Sequence, residues 1–281
     1  MKKLILLSRP RFWIYVLGPF LLTFASINSI VQFSPSLILM FIYFTFPANI
    51  LIYGINDIYD KETDAFNEKK TGYENTLSQT SNDISKLKKI IFYTNIVFIL
   101  YGIFSFTLIP LIFLFIFMLF AHQYSATPLR AKAIPFVDSM VSGVLYILPV
   151  FVSWGILYNT LPPIMPIVIG IIWSISMHAY SAVPDINADT KAGIKTGATI
   201  LGKNKMLLLC GLLYSIASIL AVPYIGIFAY IFGLVYLVLI ALSIRKKTPE
   251  ETLYYYKMFP IVNTLIGAVI FFIILFKTLG I

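Results

Sequence analysis

The sequence predicts an all-α, polytopic membrane protein with nine transmembrane helices in one bundle and a cytoplasmic cap of acidic loops. Composition is the first reason: 59% of the 281 residues are hydrophobic and only 12% are charged, against the roughly 25% charged of a soluble globular chain. Arrangement is the second. Long apolar stretches recur along the chain, each near the roughly 20 residues that a helix needs to cross a hydrocarbon core about 30 Å thick. The whole length, residues 1–281, reads as a single integral-membrane domain.

The apolar stretches cover residues 12–31, 36–55, 90–106, 108–122, 137–157, 163–183, 206–222, 225–244 and 258–275. The N-terminus starts like a secretory signal, but the run from Leu4 to Leu7 stops at Ser8-Arg9-Pro10-Arg11, too short for a signal core. The first crossing therefore begins near Phe12. Residues 90–121 form nearly one apolar tract, whose break falls between Thr107 and Pro110. Cys210 is the only cysteine, which excludes an intrachain disulfide or a multi-cysteine metal site. It reads as a small buried side chain.

A net charge of +9 suggests nucleic acid in a soluble protein, but its placement here points to membrane topology. With nine crossings, every Lys and Arg except Lys277 falls before the first helix or in the loops after the second, fourth, sixth and eighth. The opposite loops contain none. The positive-inside rule therefore puts the N-terminus and the basic loops in the cytoplasm of a cell-membrane protein, and the C-terminus outside. All 12 acidic residues lie in or beside the same loops. Sorting by charge acts mainly on Lys and Arg, so the acids point to a function.

The first long loop opens Asn56-Asp57-Ile58-Tyr59-Asp60-Lys61-Glu62-Thr63-Asp64. If the second helix continues into it, Asp57, Asp60 and Asp64 share one face. Three carboxylates on one stripe repel unless a cation lies between them. One or two carboxylates completed by water and phosphate oxygens describe Mg²⁺. The loop after the sixth helix repeats the device with Asp185 and Asp189, and continues through Lys191, Gly193, Lys195 and Thr196. Two such clusters suit metals on opposite sides of one diphosphate. Lys69, Lys70, Arg130, Lys132, Lys191 and Lys195 are candidates to neutralise the remaining phosphate charge. The short loop from Tyr124 to Lys132, fixed by Pro128, reads as an anion clamp. Taken alone, each loop is also consistent with solvated charges at helix ends.

Together these motifs resemble the UbiA superfamily of intramembrane prenyltransferases. The pattern N-D-x-x-D-x-x-x-D appears as Asn56, Asp57, Asp60 and Asp64, followed by Asn67 and Lys70; Y-S-x-x-P-L-R-x-K runs from Tyr124 to Lys132; and D-x-x-x-D-x-x-x-G-x-x-T matches Asp185, Asp189, Gly193 and Thr196. The resemblance covers essentially the whole chain. It departs at Asn187, where many members carry an acid, and at Thr71-Gly72-Tyr73, where Arg-Pro is common.

The resemblance implies a catalytic set of Asn56, Asp57, Asp60, Tyr124, Asp185 and Asp189, with Mg²⁺ as cofactor. It also implies transfer of a prenyl group from an allylic isoprenoid diphosphate to a lipophilic acceptor inside the bilayer. Magnesium and basic side chains stabilise the leaving diphosphate, and the carbocation alkylates the acceptor with water excluded. Tyr53, Tyr124, Tyr146 and Tyr180 are candidates to face that cation, packing being the plainer use. His122 and His178 read as hydrogen-bonded helix-end residues. The runs from Ser8 to Tyr15 and from Met177 to Asp185 are most similar to the carotenoid-elongating branch, whose acceptors are lycopene-like; an aromatic quinone precursor is the alternative acceptor. A transporter is disfavoured because the carboxylates crowd one surface and do not sit at the bilayer midplane. The D-G-x-x-A-R motif of CDP-alcohol phosphotransferases is absent.

Overall fold

The computed structural model describes residues 2–26, 34–60 and 81–281, and these contain helices, turns and loops but no strand. The helices are α1 (Lys2–Leu7), α2 (Ile14–Ala25), α3 (Pro35–Thr45), α4 (Pro47–Tyr59), α5 (Ser81–Ser105), α6 (Leu108–Ser125), α7 (Val137–Tyr158), α8 (Ile164–Ser181), α9 (Ile186–Lys191), α10 (Gly197–Ile225), α11 (Phe228–Ile244), α12 (Leu253–Tyr256) and α13 (Phe259–Leu279). In lipid only internal pairing satisfies backbone N–H and C=O groups, which is why the apolar segments are helical.

Seven helical stretches among the described residues are long and apolar enough to cross a membrane, and Pro10–Ala25 and Phe228–Ile244 are shorter apolar helices. The nine expected stretches thus divide into seven long spans and two shorter ones. Large apolar side chains such as Phe104, Leu108 and Ile164 stand on the outside, where a soluble protein carries polar groups.

Several boundaries differ from the sequence reading, each for a local reason. Residues 36–55 are not one straight helix: the chain leaves helical geometry at Phe46, because Pro47 has no N–H to donate and restricts the residue before it. The Asn49 amide donates to the carbonyls of Phe44 and Thr45, both at 3.0 Å, and so satisfies acceptors released by the break. Helix α5 starts at Ser81 and not near residue 90, since its first turns carry Lys86, Lys88 and Lys89 and are invisible to hydropathy. Helix α10 likewise starts at Gly197, behind a capping box of Thr196 and Thr199, and is interrupted at Gly202, whose φ of 74° favours glycine.

The described chain forms two compact units, one of residues 1–129 and 145–162, the other of residues 130–144 and 163–281. Helix α7 runs from the second into the first, the division falling between Val144 and Leu145. In the first unit α4 packs against α5 and α6, and α2 against α3. Its centre is aromatic: Phe44 meets Phe20 at 5.3 Å and Phe117 at 5.2 Å. Buried polar side chains join helices there. Tyr43 donates to Asn95 Oδ1 at 3.0 Å, and the Thr23 and Ser153 hydroxyls lie 2.6 Å apart. Such interhelical hydrogen bonds hold helices together where the surrounding lipid is as apolar as leucine.

In the second unit α10 packs against α8 and α11. Tyr214 stacks on Tyr236 at 4.3 Å, and Tyr236 donates to Asn263 Oδ1 at 2.8 Å. Cys210 is buried, as its position in an apolar helix led us to expect, and its carbonyl accepts the Ser176 hydroxyl at 2.9 Å.

Close helix approach in the first unit depends on Gly155. A Cβ there lies 2.9 Å from Pro110 Cδ and 3.0 Å from its backbone nitrogen. We expect Gly155→Val to cost about 1–3 kcal/mol through overpacking, read as a lower melting temperature in detergent. Gly267→Ala adds a methyl group that meets nothing within 4 Å, and should leave the melting temperature unchanged or slightly raised.

Candidate functional site

Helix α4 delivers the first acidic motif at its C-terminal end. Its last turn closes with the Asp60 N–H donating to the Asn56 carbonyl at 2.9 Å, which places Asp57 and Asp60 one turn apart. The helix ends at Tyr59, with Asp60 as its cap. The continuation that places Asp64 on the same face therefore lies outside the described residues, together with Asn67, Lys69 and Lys70. Asp57 and Asp60 are only 4% and 2% exposed. Burying carboxylates this deeply is expensive unless charge or hydrogen bonds compensate them.

The compensation is visible. The Asn56 amide donates to Asp60 Oδ2 at 2.7 Å and to Ser125 Oγ at 3.2 Å. Ser125 ends α6 and belongs to the Tyr124–Lys132 tract, so this amide joins two of the three sequence motifs within the first unit. Asp57 Oδ1 accepts from an Arg9 guanidinium N–H at 2.7 Å, and the Arg9 guanidinium also lies 4.7 Å from the centre of the Tyr53 ring. Arg9 was missed as a site residue. In the sequence it is one of four basic residues before the first helix and reads as an orientation signal.

Tyr124 is half-buried at the end of α6. Arg130 and Lys132 belong to the second unit, where Arg130 adopts a left-handed conformation (φ 44°) at the start of a short 3-10 turn and both residues are half-buried.

The second motif, also in the second unit, is built around α9. Asp185 caps that helix, and its carbonyl accepts the Asp189 N–H at 2.8 Å. Both aspartates are half-buried, while Lys191 and Lys195 are exposed. The Gly and Thr of the motif have conformational tasks. Gly193, with φ of 71°, turns the chain after α9, and Thr196 caps α10. Asn187 is exposed and donates to Glu250 Oε1 at 2.5 Å, which ties this position to a neighbouring loop.

The candidate aromatic and histidine residues separate in the same way. Tyr180 is fully buried, with its hydroxyl on Ser243 and its ring 4.4 Å from Phe259. Tyr53 faces Arg9, and Tyr146 lies 5.9 Å from Tyr15. His178 Nδ1 is 3.3 Å from Ser139 Oγ, and His122 Nδ1 is 3.5 Å from the Gln123 amide. Both are hydrogen-bonded near helix ends, as expected.

Among the described residues no three His, Cys, Asp or Glu side chains gather into a ready-made metal cage. Mg²⁺ does not require one, because it keeps waters and phosphate oxygens in its octahedron and takes one or two protein carboxylates. The first motif offers hard oxygen donors on a fixed turn, with neither thiolate nor imidazole in it, and this donor set fits Mg²⁺.

Comparison with known proteins identifies the family of the chain. Residues 16–252 match the UbiA prenyltransferase family. The lycopene elongase/hydratase of Halobacterium salinarum is 34% identical over 279 residues, covering 95% of this chain and 94% of that protein. That of Corynebacterium glutamicum is 29% identical over 279 residues, covering 95% of each. A UbiA homolog from Archaeoglobus fulgidus, solved bound to DMAPP and Mg²⁺, superposes with a TM-score of 0.68 at 18% identity over 99% of both chains, which shows a shared fold. A multi-pass, membrane-embedded enzyme that transfers prenyl groups, the chain belongs to the UbiA prenyltransferase family.

Proposed function

We propose that the protein transfers a prenyl group from an allylic isoprenoid diphosphate, dimethylallyl diphosphate in the first instance, to a linear carotenoid of the lycopene type. The observation that carries the acceptor is near full-length similarity to lycopene elongase/hydratases at 34% identity. The donor and the metal are supported by the buried Asn56-Asp57-Asp60 turn and by the DMAPP and Mg²⁺ of the structural neighbour.

The residues divide the work as follows. Asp57, Asp60 and Asp64 hold Mg²⁺ from the first motif, and Asp185 and Asp189 do so from the second. Asn56 fixes the Asp60 carboxylate through its amide. Bound there, the metal supplies Lewis-acid stabilisation of negative charge on phosphate oxygens. Lys70, Arg130, Lys132, Lys191 and Lys195 add positive charge around the diphosphate, and Tyr124 is placed beside the reacting centre. The allylic carbon–oxygen bond breaks and the diphosphate leaves with the electron pair. A terminal double bond of the acceptor then gives its π electrons to the allylic carbon. The tertiary cation left on the acceptor loses a proton, or takes up water and releases one of the water's protons to leave a hydroxyl. Apolar helices exclude bulk water from the first cation, which it quenches.

Residues 1–281 act as one prenyltransferase domain crossing the cell membrane nine times, with an acidic cytoplasmic cap. The shorter helices Pro10–Ala25 and Phe228–Ile244 supply the two crossings beyond the seven long spans. The single-sided distribution of Lys and Arg orients the N-terminus to the cytoplasm.

Three outcomes test this reading. Asp57→Ala, Asp60→Ala and Asp189→Ala should each lower Mg²⁺-dependent turnover by at least about a hundredfold while folded protein stays in the membrane; near-normal rates in two of them would return the loops to a solvating role. Reporters fused after Ser34, Asn159 and Ile281 should all read external, and a cytoplasmic signal at Asn159 breaks the nine-helix count. In a host that makes lycopene, expression should give a carotenoid heavier by one isoprene unit, with or without added water. Unchanged lycopene beside a newly prenylated hydroxynaphthoate or hydroxybenzoate would move the acceptor to the quinone precursors.

A further inference from the structure

Two arginines near the N-terminus behave differently although one residue separates them. Arg11 is exposed, as an orientation signal needs to be, whereas the Arg9 side chain is 4% exposed and lies against an Asp57 carboxylate that is 2% exposed. The backbone is built to hold it there. Arg9 takes a left-handed conformation (φ 49°, ψ 69°) between α1 and the turn Pro10–Phe12, which a non-glycine residue keeps only when its surroundings over-determine it. Those surroundings are the Trp13 indole N–H, which donates to the Ser8 carbonyl at 3.0 Å and hydroxyl at 3.1 Å, and Phe12, whose ring lies 6.0 Å from Tyr53. Tyr53 in turn faces the guanidinium at 4.7 Å.

Asp57 Oδ1 thus already has a cation at 2.7 Å. Mg²⁺ needs carboxylate oxygens at about 2.0–2.1 Å and is repelled by a guanidinium on the same oxygen, the more strongly where water is scarce. We propose that Arg9 is a positioning residue that interlocks metal and substrate: its guanidinium competes with Mg²⁺ for Asp57, and yields when a diphosphate brings anionic oxygens to receive it. The interlock rests on the reading of Asp57 as a metal ligand. Mg²⁺ alone takes the Asp57 carboxylate away from a buried guanidinium, while Mg²⁺ with diphosphate offers that guanidinium new anionic oxygens. The ring of Tyr53 keeps the guanidinium near the motif in either position. Arg9 therefore makes metal binding and diphosphate binding cooperative, and by linkage the coupling is reciprocal.

The test is a Mg²⁺ titration of the purified full-length protein in detergent, followed by thermal melting, with and without inorganic pyrophosphate. In the unaltered protein pyrophosphate should lower the half-saturating Mg²⁺ concentration by about tenfold or more, within the ordinary range of site–site coupling. Arg9→Lys keeps the buried charge but loses the planar fork and its stacking on Tyr53; Arg9→Gln removes the competing charge. Arg9→Gln should bind Mg²⁺ alone at about tenfold lower concentration than the unaltered protein, with a smaller further gain from pyrophosphate, while Arg9→Lys, which keeps the competing charge, should stay close to the unaltered midpoint. Arg9→Met, which also removes the charge, decides the matter if Arg9→Gln does not fold. A merely structural role lowers the melting temperature equally at all Mg²⁺ concentrations and leaves the midpoint in place, and that result overturns the interlock. Asp57→Asn separates the two ideas: a full Mg²⁺ response in this variant removes the metal reading and the interlock with it. A response lost in Asp57→Asn but unchanged or weakened in the uncharged Arg9 variant removes the interlock alone.

Discussion

A carboxylate carried into the end of a membrane helix must find a counter-charge, because its surroundings offer little water to solvate it. The idealised penalty for moving an ion from water into a medium as apolar as a protein interior is on the order of 20 kcal/mol, and several kcal/mol remain after relaxation. Asp57 and Asp60 accept that constraint within one turn of α4. Much of the first unit's polar architecture follows from it. Arg9 is turned inward to reach Asp57, Asn56 is spent on Asp60, and Ser125 brings the end of α6 to the same amide. These contacts are what let two carboxylates stay buried within one helical turn.

The helical architecture was legible because lipid removes alternatives: apolar segments of sufficient length have to be helical. Most of the nine predicted stretches coincide with observed helices at one end at least. The errors share a cause. Hydropathy sees where a helix is greasy, and so it missed the basic first turns of α5 and the capped start of α10. It also passed over the break at Phe46, although Pro47 was in plain view. In an otherwise apolar run proline is often tolerated inside a membrane helix, as Pro149 is within α7, and only the Asn49 amide shows that the chain here turned to side-chain capping.

The site was legible to a lesser degree. Acidic residues in a chain that is 12% charged stand out, and the spacing of Asp57 and Asp60 survives in the structure as one helical turn. Arg9 was hidden because sequence position alone does not distinguish a solvated arginine from a buried one. Arg9 and Arg11 have the same chemistry and nearly the same neighbours, and only the left-handed turn at Arg9 separates their fates. The Asn56–Ser125 hydrogen bond was hidden for another reason. It joins residues 69 apart, and no local periodicity encodes a contact of that kind.

The two acidic motifs look alike in sequence yet are held differently, and this bears on what each can do. Asp57 and Asp60 are buried and fixed by side-chain hydrogen bonds to named partners, so little entropy remains to be lost when a ligand binds them. Asp185, which caps a helix of six residues, and Asp189 within it are half-buried, and the exposed Lys191 and Lys195 follow them. Their geometry is set through the backbone, by the α9 turn, the positive φ of Gly193 and the Thr196 cap. Asn187 sharpens the contrast. An acid at this position adds a third negative charge to a six-residue helix, and the amide instead donates to Glu250, linking α9 to the loop before α12. The second motif is thus anchored through the backbone on either side of α9, and the first through the side chains of Arg9 and Asn56.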